Sequence, residues 1–272
     1  MLRILLAIWL SLITSNALAQ ETALKRLDTG DDTRAWEAVG RLDIGGQGFC
    51  TGALIAPDLV LTAAHCLFNK YSSVAVDVTS IEFLAGWRNG RASAYRSVRR
   101  AVIHPDYVFS TDVDAKRVRN DIAILELQHP IAKSGVVPFL TDVRPKKGDE
   151  IGVVSYARDR SEAPSLQEVC EVLARQHGVV VMSCDVNFGS SGAPVFSIVD
   201  GVPRVVSVVS AMAEVDGEKV ALGAQLEAPL EEMRKELRAA NRLQTAPKKK
   251  LFSNGTGRDT GAKFSRPETT PE

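Results

Sequence analysis

A chain of 272 residues is long enough for one large domain or two small ones. Lys plus Arg and Asp plus Glu balance at 33 each, which removes any electrostatic case for a nucleic-acid partner or an anionic membrane. No zinc-ligand spacing and no glycine-rich phosphate loop is present, so no cofactor is implied.

Taken in order, Met1 to Ala19 reads as a secretory leader. Arg3 supplies the positive start, Leu5 to Ile13 the apolar core, and Ala17-Leu18-Ala19 the small-residue cleavage pattern before Gln20. The apolar core is short for a bilayer span of about 20 residues, so cleavage is favoured over a retained anchor. A secreted or periplasmic protein without stable membrane insertion is expected. Residues 20–34 form an N-terminal segment, read as a pro-segment. Short apolar or alternating runs then recur between turn signals: Ala38 to Ile44, Ala53 to Leu61, Ser80 to Ala85, Ala94 to Ile103, Ile122 to Leu127, Glu150 to Ser155, Gly178 to Cys184, Val195 to Val199 and Arg204 to Val209. Strands at this spacing point to an all-β sandwich or barrel, and Asp200-Gly201 is a hairpin signal. Val169 to Ala174 and Gly178 to Cys184 read as two strands about a turn at Gln176-His177-Gly178. Pairing symmetric about His177 places Cys170 opposite Cys184. Leu230, Met233 and Leu237, after Pro229, give helical spacing. From residue 245 to 272 apolar content falls and Lys248-Lys249-Lys250 opens a tail expected to be disordered. Asn254-Gly255-Thr256 matches a glycosylation acceptor. Asp106, Asp112 and Asp114 crowd one loop but lack the glycine and terminal glutamate of a calcium loop, so no metal is assigned.

Three segments carry chemistry. Leu61-Thr62-Ala63-Ala64-His65-Cys66 ends a strand-like run on a histidine beside a cysteine. Asn120-Asp121-Ile122-Ala123-Ile124-Leu125 places a carboxylate at the mouth of a strand. Phe188-Gly189-Ser190-Ser191-Gly192-Ala193-Pro194-Val195 places serines among small residues on a tight turn. Together with Cys50-Thr51-Gly52-Ala53-Leu54-Ile55, these blocks resemble the signature segments of trypsin-like serine proteases of the chymotrypsin fold, over roughly Trp36 to Leu237. The order His, Asp, Ser is that family's order.

The resemblance implies two antiparallel six-stranded β-barrels with a C-terminal helix, an N-terminal barrel over 35–135 and a C-terminal barrel over 136–244, linked near Pro130 to Pro145. Neither half alone would be active. It implies a Cys50–Cys66 bridge bracing the histidine loop, and a Cys170–Cys184 bridge agrees with the local pairing. It assigns His65 as general base, Asp121 as its orienting carboxylate and Ser191 as nucleophile, with the N–H groups of Gly189 and Ser191 as the oxyanion hole. The motif departs from the family's Gly-Asp-Ser-Gly-Gly-Pro and is closer to bacterial members. Ser190 stands where an aspartate usually pairs with a new N-terminal ammonium. A serine cannot balance a buried charge, so that activation switch is not expected. Asp185, six residues before Ser191, falls at the base of the specificity pocket, with Ser210, Met212 and Gly223 around it. His104 reads as a structural support. The reading is an endopeptidase acting as a monomer on protein or peptide substrates, with a preference for basic residues. The alternative is a non-catalytic binding protein on the same fold.

Overall fold

Runs of β-branched and apolar residues, broken by Gly, Asp and Pro, favour antiparallel sheet over any other way of burying this chain. The computed structural model describes residues 21–132, 135–142 and 145–245. The leader, Lys248 to Lys250 and Asn254 lie outside the described residues. In chain order, β1 (Lys25–Arg26) and the one-turn α1 (Gly30–Thr33) precede β2 (Val39–Ile44), β3 (Phe49–Ala56), β4 (Leu59–Thr62), β5 (Ile81–Ala85), β6 (Ala94–Ile103), α2 (Ala115–Asn120) and β7 (Ala123–Leu127). They are followed by β8 (Leu140–Thr141), β9 (Glu150–Ala157), β10 (Arg160–Gln176), β11 (Val179–Met182), β12 (Pro194–Val199), β13 (Val202–Val215), β14 (Glu218–Gln225) and α3 (Glu227–Thr245). Among the described residues, no helix is long and apolar enough to cross a membrane.

The first sheet closes as β2-β3-β4-β7-β6-β5, which leaves it without a free edge. One strand was expected over 53–61. Two are found, β3 and β4, because Pro57-Asp58 turns the chain between them. The second body is an eight-stranded sheet in the order β1-β10-β11-β14-β13-β12-β9, with β8 beside β13. Since β9 also pairs with β10, six of its strands return on themselves. Two further strands join these six, β1 and β8, each of two residues and too short to register as periodicity, and β8 runs parallel to β13. The missed strand β14 follows Asp216-Gly217, whose φ values of 52° and 85° match the two-residue turn at Asp200-Gly201, 51° and 75°.

Both disulfides are present, Cys50–Cys66 and Cys170–Cys184. The register near the second is less regular than simple symmetry about His177. Gln176 pairs with Val179 around a tight turn at His177-Gly178, and a bulge between Val172 and Ala174 shifts the ladder before the cysteines meet.

The two bodies share a seam of aromatic and hydrogen-bonded contacts. Phe196 packs 5.0 Å from Trp36 and 4.7 Å from Phe139, ring centre to ring centre. The buried Tyr156 hydroxyl donates to the Trp87 carbonyl at 2.8 Å. Helix α3 buries Leu230, Met233 and Leu237, as their spacing dictates. It starts at Glu227, and Arg100 of β6 donates to the Leu237 carbonyl at 3.0 Å.

His104, just beyond β6, accepts the Asp106 N–H on Nδ1 at 3.1 Å. Burial holds its pKa below the ordinary imidazole value, Arg119 adds to that, and Asp106 and Glu232 oppose it. A histidine with a depressed folded pKa takes up a proton more readily when the chain is unfolded. Its contribution to stability is therefore full above about pH 6.5 and declines as the pH falls below that. Thermal unfolding midpoints should fall between pH 7.5 and pH 5.5. His104→Asn, whose Oδ1 can take the same N–H, should flatten that slope, and an unchanged slope would exclude His104 as its source.

Candidate active site

The histidine loop is built by small residues. Ala63 and Ala64 are fully buried, so the chain can turn tightly after β4 into a single 3-10 turn, Ala64–Leu67. The Cys50–Cys66 bridge ties that turn to β3. Asp121 closes α2 and opens β7, and it is fully buried. Its Oδ1 accepts the His65 backbone N–H at 2.8 Å, and its Oδ2 accepts from His65 Nδ1 at 2.6 Å and from Ser210 Oγ at 2.5 Å. A carboxylate can only accept, so Nδ1 carries the ring proton and Nε2 is left as an acceptor. Burial works to raise the Asp121 pKa, but the His65 ring beside it and three hydrogen bonds outweigh that and hold it below the usual carboxylate range.

Ser191 lies on the loop between β11 and β12, and a rigid framework fixes that loop. Gly192 has φ +78°, and a Cβ there would stand 2.1 Å from Thr62 Oγ1 and 2.3 Å from the Thr51 carbonyl. Gly189 has φ +100°, and a Cβ there would enter the Phe49 ring at 2.5 Å. These two positions need glycine for both conformation and space.

Backbone hydrogen bonds account for the neighbouring N–H groups. Ser190 N–H reaches the Asn187 carbonyl, Gly192 N–H the Val209 carbonyl and Ala193 N–H the Ser190 carbonyl, at 2.8 to 2.9 Å. Among the described residues, the N–H groups of Gly189 and Ser191 have no such acceptor. The Phe188 carbonyl accepts from Arg158 N–H at 2.7 Å. In a planar trans peptide that turns the Gly189 N–H the opposite way. Among the described residues, Ser191 makes no hydrogen bond to His65.

Ser190 is fully buried. Its hydroxyl accepts from Asn187 N–H at 3.2 Å and lies 3.1 Å from Ser155 Oγ and 3.2 Å from the Tyr156 carbonyl. Arg160 Nη2 stands 3.5 Å away. Burial depresses the Arg160 pKa, and the carboxylates of Asp159 and Asp185 offset part of that. A hydroxyl and an arginine thus occupy the space behind the serine loop. Sequence reading missed Arg160, because nothing in Asp159-Arg160 signals that this cation is buried.

Thr51 was also missed, although it lies inside the Cys50 to Ile55 block. It is buried on β3. Its hydroxyl donates to the Gly189 carbonyl at 2.9 Å and accepts the Tyr156 N–H at 3.1 Å. Its own N–H donates to the Ser191 carbonyl at 2.8 Å, and its carbonyl accepts from Thr62 Oγ1 at 2.9 Å.

The pocket residues divide. Asp185 is exposed, with its N–H on Gln167 Oε1 at 2.7 Å. Met212 is 40% exposed on β13, and Phe188, 61% exposed, lies under the Arg158 guanidinium. Gly223 lies on β14. It pairs with Val209, and a Cβ there would meet Ser207 Oγ at 2.3 Å and Met182 Cε at 2.9 Å. The bulge between Val209 and Ala211 displaces the register, so Ala221 is the residue facing Met212. As for metals, Cys50, His65 and Cys66 lie close together. Their sulfurs are bonded to each other and Nδ1 is held by Asp121, which leaves no set of ligands for an ion.

The chain is similar to known proteins in sequence and in fold. The trypsin family model matches residues 29–223. Human serine protease 56 is 34% identical over 101 residues, 37% of this chain and 15% of that protein's length. Trypsin from Simulium vittatum is 31% identical over 196 residues, covering 61% of this chain and 73% of that one. Mouse cathepsin G is 35% identical over 117 residues, 42% of this chain and 40% of that one. A glutamyl endopeptidase structure superposes with a TM-score of 0.64 at 18% identity, covering 79% of this chain and 96% of that one. The match to the family model spans most of the sequence and includes the His65, Asp121 and Ser191 segments, so the chain belongs to the trypsin family, a family of serine endopeptidases.

Proposed function

We propose that the protein is an exported serine endopeptidase that cleaves peptide bonds through an acyl-enzyme. The observation that carries this reading is the buried Asp121 carboxylate fixing His65 with Nε2 free. In the proposed cycle, Ser191 Oγ attacks the scissile carbonyl while His65 Nε2 takes its proton. The oxyanion is received by the N–H groups of Gly189 and Ser191. Collapse breaks the C–N bond, and His65 returns the proton to the leaving amine. Water, deprotonated by the same histidine, then releases the acyl group. The leader over 1–19 and two disulfides support export into an oxidising compartment.

Asp185 is proposed as the acidic floor of the pocket, with the partly exposed Met212 at its wall, favouring Arg and Lys before the cleaved bond. Arg160 contributes a positive field at Asp185, which should weaken that preference relative to a carboxylate standing alone. A binding protein on a protease fold is the second reading, favoured by the missing Ser191–His65 hydrogen bond. Such bonds often tighten only with substrate.

Digestion of a defined peptide library by the disulfide-bonded protein, beside Ser191→Ala, tests both. The expected result is cleavage after Arg and Lys that falls by about 10⁴-fold or more in the variant. Cleavage after other residues would remove only the basic pocket. An uncut library would favour the binding protein.

A further inference from the structure

Resting on the endopeptidase reading above, we infer that Thr51 is a positioning residue for the oxyanion site, fixing from the first barrel the Gly189–Ser190 peptide that joins its two donors. Gly189 is flanked by two peptide groups, and each is held by its carbonyl. The Phe188 carbonyl takes the Arg158 N–H, a bond within the second body. The Gly189 carbonyl takes the Thr51 hydroxyl, a bond that crosses the seam. Together they fix the rotations on both sides of the Gly189 Cα, which sits at φ +100° against the Phe49 ring. Glycine has no side chain to resist a flip of either peptide, so its conformation must be imposed from outside.

The Thr51 hydroxyl suits that task because both of its roles are committed. As donor it holds Gly189, and as acceptor it takes the Tyr156 N–H on β9. Thr51 N–H then fixes the Ser191 carbonyl, and Thr51 O receives Thr62 from the strand that leads into the histidine loop. One buried residue thereby ties the peptide that follows the Gly189 donor, the serine carbonyl and the histidine strand into a single frame. Its side chain reaches no substrate. Its loss should act on the rate of the chemical step, since a shifted oxyanion donor stabilises the transition state less while ground-state binding is spared.

The test compares Thr51→Val and Thr51→Ser in the full-length, disulfide-bonded protein by steady-state peptide hydrolysis, with active sites counted against folded protein by near-UV circular dichroism. Valine keeps the shape and removes the hydroxyl. Serine keeps the hydroxyl. The expected result is a kcat some 10- to 100-fold lower for Thr51→Val, at a KM within about threefold, and near-wild-type kcat for Thr51→Ser. Ser207→Ala, which loses a buried hydroxyl bonded to the Ala224 carbonyl between β13 and β14 and not to the serine loop, controls for lost stability and should leave kcat unchanged. The inference is overturned if Thr51→Val keeps kcat within twofold, if its deficit lies in KM alone, if serine does not rescue, or if Ser207→Ala lowers kcat equally. Wild-type protein without Ser191-dependent turnover would instead overturn the endopeptidase reading, and this inference with it.

Discussion

Asp121→Asn should lower kcat/KM by about 10⁴-fold while the protein remains folded. The reason lies in the donors that converge on this carboxylate. It accepts the His65 backbone N–H, the His65 Nδ1–H and the Ser210 hydroxyl. An amide of the same shape has one accepting oxygen and one donating nitrogen. If its nitrogen faces the ring, Nδ1 must give up its proton and become an acceptor. The proton then resides on Nε2, where a base for Ser191 is needed. If its oxygen faces the ring, its nitrogen opposes the His65 N–H and the loop is pushed away. Either arrangement disables the histidine, and the unsatisfied buried groups cost about 1–3 kcal/mol in stability. Steady-state hydrolysis together with a thermal melt separates the two effects. A variant that stays folded and loses less than tenfold in kcat/KM would remove Asp121 from the mechanism.

Gly192→Ala is expected to have an effect of similar size by a different route. The added carbon would sit 2.1 Å from Thr62 Oγ1 and 2.3 Å from a main-chain oxygen, at a φ of +78°. Thr62 Oγ1 is itself bonded to the Thr51 carbonyl, so neither obstacle can rotate clear. The loop must lift away from β3 and β4 and take Ser191 with it. A displacement of about 1 Å is enough for a loss of about 10²-fold, and a misplaced oxyanion donor adds about 10²–10³-fold. Combined losses above about 10³-fold in kcat are expected, with the secondary structure retained by far-UV circular dichroism. Activity within tenfold of the parent would mean that this loop is softer than its packing implies.

The parts legible in the sequence were those carried by local pattern. The strands around His65 and Asp121 alternate or run apolar long enough to be read, and the hairpin at Asp200-Gly201 announces itself. Strand β14 escaped because Gly223 and alanines dilute its apolar content, although Asp216-Gly217 offered the same turn signal. That Gly223 pairs with Val209 while Ala221 pairs with Met212 arises from a bulge after Val209, and a bulge leaves no trace in spacing. Thr51 and Arg160 were illegible for a stronger reason. What each does depends on partners more than 100 or about 30 positions away, Gly189 and Ser190. A threonine in a strand and an arginine after an aspartate look ordinary until the chain has brought those partners to them.

The ends of the described chain are exchanged between the two bodies. Residues ahead of the first barrel lie on the second: Lys25 and Arg26 pair with β10, Thr22 N–H bonds to the Val169 carbonyl at 3.0 Å, and Leu27 is 1% exposed. Residues after the second barrel lie on the first, where α3 meets Arg100 of β6. This reciprocal clasp means that the two bodies cannot swing apart about a single connecting hinge. Opening requires a strand to unzip at one end and a helix to lift at the other. The same clasp makes the segment over 20–34 costly to discard, since a cut after Arg34 that released it would bare the edge of β10 and empty the site of Leu27. Such a segment behaves less like a removable prologue than like the buckle of the folded enzyme.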